Sequence, residues 1–486
     1  MTELIIKNAT VVTMGAQRRV IDPADVIVRD GVIAAIVPAL VAPGAAQGLA
    51  DGALACDALT APTAAEPRGG RRVIDAGGDV LFPGLINTHA HLFQSLLKGI
   101  GSDRRLETWW HDVIKPAAVN LELEDVRYSA LAGCVEALLC GTTTIVDFMY
   151  ANRRPEFCDA VMDGMSETGV RSVFARGFRN TGADRGFPPE LIEDTSFVFG
   201  EVERLKSRAA GMNRMDVWIA PTAIWGLTQD ALKEVRRFAD SSGTRITMHT
   251  FETGTDDAVC LERYGTRAVD VMDGARLFGP DFLAVHCVKC DRYTIDILAR
   301  RGAGVSHNPA SNMYLASGAA PVRDMLDSGV TVCLGTDGAA SNNSMNMIET
   351  MKLATLLQRI ASCDSVALTA WDALEMATTG AARAIGMAEV TGSIEVGKRA
   401  DMFLMKRSAP STSPVHDPAA SLVFSASPGA VRHVFVGGEP VVWEGRVTKV
   451  DAERVYRRFD RLALDLALRS GLAPVGGTTP DHAAKG

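Results

Sequence analysis

The chain has 486 residues, 47% of them hydrophobic and 22% charged. That balance excludes a largely disordered polymer and allows two to four domains, or one large barrel with an accessory domain. Fifty Lys and Arg against 58 Asp and Glu leave a net charge of −8, which argues against a broad nucleic-acid or anionic-membrane surface. No apolar run reaches the roughly 18 residues of a membrane-spanning helix. Met1-Thr2-Glu3-Leu4 shows neither a basic region nor an apolar secretory core. Nine cysteines, an odd number scattered over a long chain, do not form the pattern of a disulfide framework, so a reduced, cytoplasmic protein is expected.

Leu4 to Val37 bunches β-formers into short runs, with Asp30-Gly31 between two of them as a hairpin signal. Val41 to Gly70 turns to Ala, Gly and Pro without periodicity and reads as a mobile surface insertion. From Val80 a different rhythm begins: VLFPGLINTH, TTTIVDF, RSVFARG, DVWIAPT, RITMHT, FLAVHC, GAGVSH and TVCLGTD recur as β-rich segments. Stretches such as Glu124 to Leu139 and Thr228 to Asp240 lie between them with helical apolar spacing. Eight strands alternating with helices predict an α/β fold, a (β/α)₈ TIM-type barrel over residues 80–392. A doubly wound open sheet fits the rhythm too, but no Gly-x-Gly-x-x-Gly follows an early strand. GSIEVGKRADMFLM, RHVFVGG and EPVVWEGRV then return to β-segments over 393–450. With 1–79 they predict one small β-sandwich domain built from both chain ends. Asp451 to Ser470 reads as an amphipathic helix, with a frayed tail to residue 486.

The placement of the nine histidines carries the chemistry. His89 and His91 end the first predicted barrel strand, His249 the fifth, His286 the sixth and His307 the seventh, while Asp337 ends the eighth. The C-terminal strand ends of such a barrel converge on one mouth. Residues i and i+2 of a strand face one side, so His89 and His91 can address one ion. His249 and Asp337 would complete an N₃O donor set that suits Zn²⁺ and also Fe²⁺. A divalent metal ion there lowers the pKa of bound water to about 7. Each histidine alone fits a satisfied structural role; the four side chains at matching strand ends are harder to explain that way. Glu252, three residues after His249, is placed to shuttle protons, and His286 to orient the attacking water or polarise the bond under attack.

Other features weigh less. Cys287-Val-Lys-Cys290 is a lone CxxC without a thioredoxin-like context, and incidental cysteines are the better reading. Trp109-Trp110 fits a pocket wall and simple packing equally. Met347 and Met351 have helical core spacing.

Together, PGLINTHAHLFQSLLKG, HTFET, AVHC, SHNPASN and LGTDGAASNN resemble the amidohydrolase superfamily, in the branch of triazine hydrolases and adenosine or S-adenosylhomocysteine deaminases. The resemblance runs from NATVVTM through GKRADMFLM. It implies one divalent metal ion, zinc foremost, on His89, His91, His249 and Asp337. Glu252 would be the proton shuttle, His286 the assisting base, and Asp337 the acceptor of the water proton. It further implies a homodimer or higher homo-oligomer and a pocket lined by Gln94, Trp109, Arg176 and Asn312. SHNPASNMYLASGAAPV, LGTDGAASNNSMNM and Arg176 are closest to the nucleoside deaminases. Two departures weigh against a nucleoside. Thr222 stands where those members have a fourth-strand histidine, and Ala117 or Ala118 where they have a ribose-binding acid. The leading expectation is therefore hydrolytic deamination of a small-molecule nitrogen heteroaromatic ring, an aminotriazine, pterin, pyrimidine or purine, with chloride as a further leaving group. Deamination of adenosine, S-adenosylhomocysteine or methylthioadenosine is second. A catalytically inactive scaffold is third, and the intact donor set with Glu252 speaks against it.

Overall fold

The computed structural model describes residues 2–38 and 70–472. The expected insertion, apart from Gly70, and the expected frayed tail from residue 473 lie outside them.

The N-terminal part contributes β1 (Glu3–Val12), β2 (Val20–Arg29), β3 (Val32–Pro38), β4 (Arg71–Asp75) and β5 (Val80–Pro83). Asp30-Gly31 does form the tight turn between β2 and β3, with φ of 47° and 79°. Two successive left-handed residues match the twist of the flanking strands, and this is why Asp-Gly marks such hairpins.

The barrel strands are β6 (Leu85–His91), β7 (Thr142–Met149), β8 (Arg171–Phe178), β9 (Met215–Pro221), β10 (Ile246–Thr250), β11 (Phe282–His286) and β12 (Gly304–His307), followed by the short β13 (Val332–Leu334) and β14 (Asp337–Gly338). All neighbours pair in parallel, and β14 returns to β6 with Asp337 opposite Ala90 and Gly338 opposite His91, closing the ring. The last strand is thus split at Gly335-Thr336, and the eight β-rich segments read from the sequence hold the eight barrel strands; the first of them also contains β5, which pairs with β1 and β15 in the other sheet, so the barrel starts at Leu85 and not at residue 80. They could be read as near-continuous apolar runs because both faces of these strands are buried.

Helices Leu123–Leu139, Pro155–Glu167, Thr195–Ala209, Gln229–Ser242, Arg292–Arg301 and Met347–Ser362 alternate with the strands. The helix expected from Thr228 starts one residue later, because the Thr228 hydroxyl caps it by accepting the Ala231 N–H at 3.2 Å. Met347 and Met351 are core residues, fully buried.

The chain then adds β15 (Met402–Met405), β16 (Val431–Val436), β17 (Glu439–Trp443) and β18 (Arg446–Val447). Hydrogen bonding joins both chain ends into one nine-stranded sheet in the order β18-β17-β16-β15-β5-β1-β2-β3, with β4 beside β1. It covers its own small core of Ile6, Val26, Ile74, Leu404 and Phe435. A buried bidentate ion pair ties sheet to barrel: Arg171 Nε and Nη2 lie 2.7 and 3.1 Å from the Asp401 carboxylate. Asp451 caps the final helix, Ala452–Arg469, which packs Val455, Phe459, Leu462 and Leu466 inward beside helix Leu123–Leu139. Among the described residues no helix is long and apolar enough to cross a membrane.

Candidate active site and metal centre

Strand ends bring the predicted donors together. His89 and His91, two residues apart on β6, set their rings edge to face with centroids 4.6 Å apart. Asp337 Oδ1 lies 3.4 Å from His89 Nε2 and 3.3 Å from His91 Nε2. From β10, His249 Nε2 comes within 3.1 Å of His91 Nε2. The His286 Nε2 atom, at the end of β11, lies 3.7 Å from Glu252 Oε2 and 3.9 Å from Asp337 Oδ2.

The hydrogen bonds behind these rings fix what their front atoms offer. His91 Nδ1 donates to the Phe148 carbonyl at 2.6 Å, and His249 Nδ1 to the Thr222 carbonyl at 2.7 Å. A carbonyl can only accept, so both Nδ1 atoms carry the proton and both Nε2 atoms present lone pairs. Burial holds His91 down to about 3 and His89 to about 4, so both are neutral at pH 7. Two imidazole lone pairs and a carboxylate oxygen therefore face one another with no proton between them. Both ring nitrogens of His89 are also buried without a hydrogen-bond partner among the described residues. A divalent cation resolves that repulsion, and the three-nitrogen, one-oxygen set suits zinc chemistry. The groups His89, His91, Asp337 and His89, His249, His286 each hold ligand atoms within 4.8 Å of one another.

The backbone is strained where the site needs it: His286 and Asp337 adopt φ of 76° and 64°, a left-handed conformation that costs a non-glycine residue energy. Gly335, in the break of the last strand, lets it pass the donor cluster. A Cβ there would lie 2.9 Å from His89 Cβ and 2.5 Å from Asn308 Oδ1. Burial pushes the Glu252 carboxyl up, favouring its protonated form, and the Ser317 hydroxyl donates to Glu252 Oε1 at 3.0 Å. Asp256, one turn further, is also raised by burial, to about 7, and accepts the Phe251 N–H at 2.5 Å.

A cavity of about 380 Å³ opens over this floor and reaches His91, His249, Glu252, His286 and Asp337. Gln94 lines it as expected and donates through Nε2 to the Tyr150 hydroxyl at 2.8 Å. Trp109 also lines it, although its indole N–H is committed to the Ala340 carbonyl at 3.0 Å. Two expected lining residues stand elsewhere. Arg176 does not reach the cavity; its guanidinium is turned to Glu193, with contacts of 2.9 and 2.5 Å, because that carboxylate satisfies the buried charge. Asn312 lies behind His286, its Oδ1 2.9 Å from His286 Nδ1, so it orients that ring instead of lining the cavity.

Thr222 does line the cavity, but its hydroxyl donates to the Phe178 carbonyl at 2.8 Å. Ala117 and Ala118 are buried in helix Lys115–Asn120, away from the cavity, whereas Glu107 from the same loop lines it. His307 is buried and does not line the cavity. Cys287 and Cys290 are buried free thiols, in line with the incidental reading. Sequence reasoning missed Tyr150 and Arg179, which line the wall beside Trp110 and Phe187. Each immediately follows the last residue of a barrel strand, β7 and β8, and that position was the available signal.

Comparison with known proteins agrees with this architecture. Residues 80–441 match the family model described as the amidohydrolase family. A 5′-deoxyadenosine deaminase from Methanopyrus kandleri is 38% identical, over 80% of this chain and 87% of its own length. A 5-methylthioadenosine/S-adenosylhomocysteine deaminase from Desulforudis audaxviator is 39% identical, over the same shares of 80% and 87%. Among solved structures, an adenosine deaminase from Xanthomonas campestris with bound zinc superposes with a TM-score of 0.84 at 27% identity, covering 96% of this chain and 99% of its own. An atrazine chlorohydrolase from Arthrobacter aurescens complexed with zinc gives 0.83 at 25% identity, covering 95% and 100%. Fold, strand-end donors and family match converge: this chain belongs to the amidohydrolase family, and it is a metal-dependent hydrolase.

Proposed function

We propose that this chain hydrolytically deaminates an amino-substituted nitrogen heteroaromatic ring, with adenosine-type nucleosides as the first substrates to test. The observation that carries the reading is Glu252, a buried carboxyl raised toward its protonated form, 3.7 Å from His286 at the edge of the donor cluster. The names of the relatives support the nucleoside class, and Glu107 supplies a carboxylate on the cavity wall for hydroxyl groups. The cavity falls within the roughly 300–1,000 Å³ of small-molecule sites.

His89, His91, His249 and Asp337 would hold one divalent ion, and we assign zinc because the neighbouring structures carry it. Such an ion supplies a Lewis acid and activates water at neutral pH. The remaining steps fall to side chains. Water adds to the ring carbon bearing the amino group and gives its proton to Asp337, while Glu252 protonates the adjacent ring nitrogen. His286, held by Asn312, faces both carboxylates and hydrogen-bonds the oxygen being added. The proton on Asp337 then passes to the amine, the hydroxyl proton of the adduct returns to the Glu252 carboxylate as the carbon–oxygen double bond forms, the carbon–nitrogen bond breaks, and ammonia leaves. Tyr150, Trp110 and Phe187 wall the ring and exclude water. All eight described cysteines are free thiols, which supports a reducing, cytoplasmic setting.

The test is product analysis by mass spectrometry after incubation of zinc-loaded protein with adenosine, 5′-deoxyadenosine, methylthioadenosine, free aminopurines, pterins, aminotriazines and a chlorotriazine. Replacement of an amino group by oxygen on a purine nucleoside is the expected result. Turnover of no amino-heterocycle overturns the reading. Turnover of the triazines alone supports the second reading, hydrolysis of a free triazine ring, which Thr222 and the chlorohydrolase fold favour.

A further inference from the structure

Arg179 stands out among the buried arginines. Arg171 is paired with Asp401 and Arg176 with Glu193. Arg179 is 1% exposed, and its Nε, Nη1 and Nη2 all lack a hydrogen-bond partner among the described residues. Its guanidinium carbon lies 4.3 Å from the Phe187 ring centre, 5.1 Å from that of Trp110 and 5.9 Å from that of Tyr150. Aromatic faces attract a cation but accept none of its five N–H groups in the plane of the fork. A buried charge is retained where something pairs with it, and the side chain lines the cavity. Only one aromatic ring separates it from the donor cluster: Tyr150 lies 4.8 Å from the His91 ring. Arg185, exposed and paired with Glu262, adds a second cation to the same wall.

We propose that Arg179 is a specificity-determining residue that binds an electron-rich oxygen of the substrate, a carboxylate or a ring oxo group, through its unpaired fork. A planar guanidinium held between aromatic walls presents two parallel N–H groups, the arrangement that suits such an acceptor. The inference rests on the cavity being the deaminating site. It adds that substrates carrying this oxygen are preferred over otherwise similar ones lacking it.

The test compares two substrate pairs on zinc-loaded protein. S-Adenosylhomocysteine against methylthioadenosine adds an amino-acid tail with its carboxylate, and guanine against 2-aminopurine adds a ring oxo group. KM and kcat are measured for each, and Kd by quenching of indole fluorescence, which needs no turnover. The parent should favour the oxygen-bearing member of one pair, and the pair that responds identifies the source of the oxygen. Arg179→Met should weaken that member by about 10- to 100-fold in KM and Kd. kcat and the plain member should change little, and Arg179→Lys should recover part of the loss. Equal binding of both members of both pairs by the parent overturns the assignment. So does an equal loss for all ligands in Arg179→Met, the signature of a purely structural role. A binding preference without any turnover sustains Arg179 and overturns the deaminase reading instead.

Discussion

Replacing Glu252 with Gln separates proton transfer from everything else the site does. Glutamine has nearly the same volume and keeps an oxygen to accept the Ser317 hydroxyl, which lies 3.0 Å from Glu252 Oε1. The carboxyl is not among the groups whose ligand atoms cluster within 4.8 Å, so metal content should not change. Only the exchangeable proton is lost. General acid–base catalysis contributes about 10²- to 10⁴-fold, which at ~1.4 kcal/mol per decade raises the barrier by roughly 3 to 5 kcal/mol. The assay pairs steady-state deamination with metal analysis and thermal unfolding of the same preparation. The expected variant carries the parental zinc, unfolds within a few degrees of the parent, and turns over at least 100-fold more slowly. Turnover within threefold of the parent would remove Glu252 from the mechanism, and a variant that lost its zinc would move it into the donor set.

Two further changes probe the donor cluster and the strand beside it. Asp337→Ala removes the carboxylate that faces His89 and His91 at 3.4 and 3.3 Å; zinc stoichiometry should fall well below one per chain with loss of activity, and full zinc with full activity would refute the site. Asp147, fully buried on β7, accepts the Leu92 N–H at 2.8 Å through Oδ1, while Oδ2 has no partner among the described residues; burial raises its carboxyl from 3.8 to about 7. Between those values the folded state binds more protons than the unfolded one. Stability is therefore lost as pH rises from about 4 to 7, by at most ~4 kcal/mol at ~1.4 kcal/mol per unit. Asp147→Asn should flatten that slope and unfold at higher urea than the parent at pH 8 but not at pH 4, and an unchanged slope counts against it.

The barrel was legible because parallel strands buried on both faces leave unbroken apolar runs, and because each donor sits at the end of such a run. His89, His91, His249, His286 and Asp337 could be placed from strand rhythm alone. What could not be read depends on partners distant in sequence. Arg176 and Arg179 are three residues apart, and which of them reaches the cavity is decided by Glu193, which neutralises the first. Asn312 looked like a wall residue; its role comes from the turn of helix Pro309–Tyr314, which sets its amide against His286. Spacing along the sequence points to Ala117 or Ala118 for the position of a ribose-binding acid, yet the loop carries a wide helical turn at Trp110–Ile114, and the carboxylate it brings to the cavity is that of Glu107. Irregular loops follow packing more than local propensity, so spacing counted along the sequence loses its meaning there.

The division between strands and loops also explains how one architecture accommodates relatives with different leaving groups. The donor side chains stand on or beside strands locked in register, with β14 paired to β6 directly beside His89 and His91. A Cβ at position 335 would lie 2.9 Å from His89 Cβ, so glycine is what lets the last strand run this close to His89. The cavity wall carries Trp110, Phe187 and Arg179, which lie in connections after the strands, where substitution leaves the ladder of the barrel intact. An adenosine deaminase and an atrazine chlorohydrolase share this fold under names that imply different leaving groups, as expected where function is carried by the site and not by the fold. Here that wall carries a guanidinium beside Tyr150 with no hydrogen-bond partner among the described residues, so substitution of Arg179 should change substrate choice, whereas substitution of Glu252 or Asp337 should slow every substrate alike.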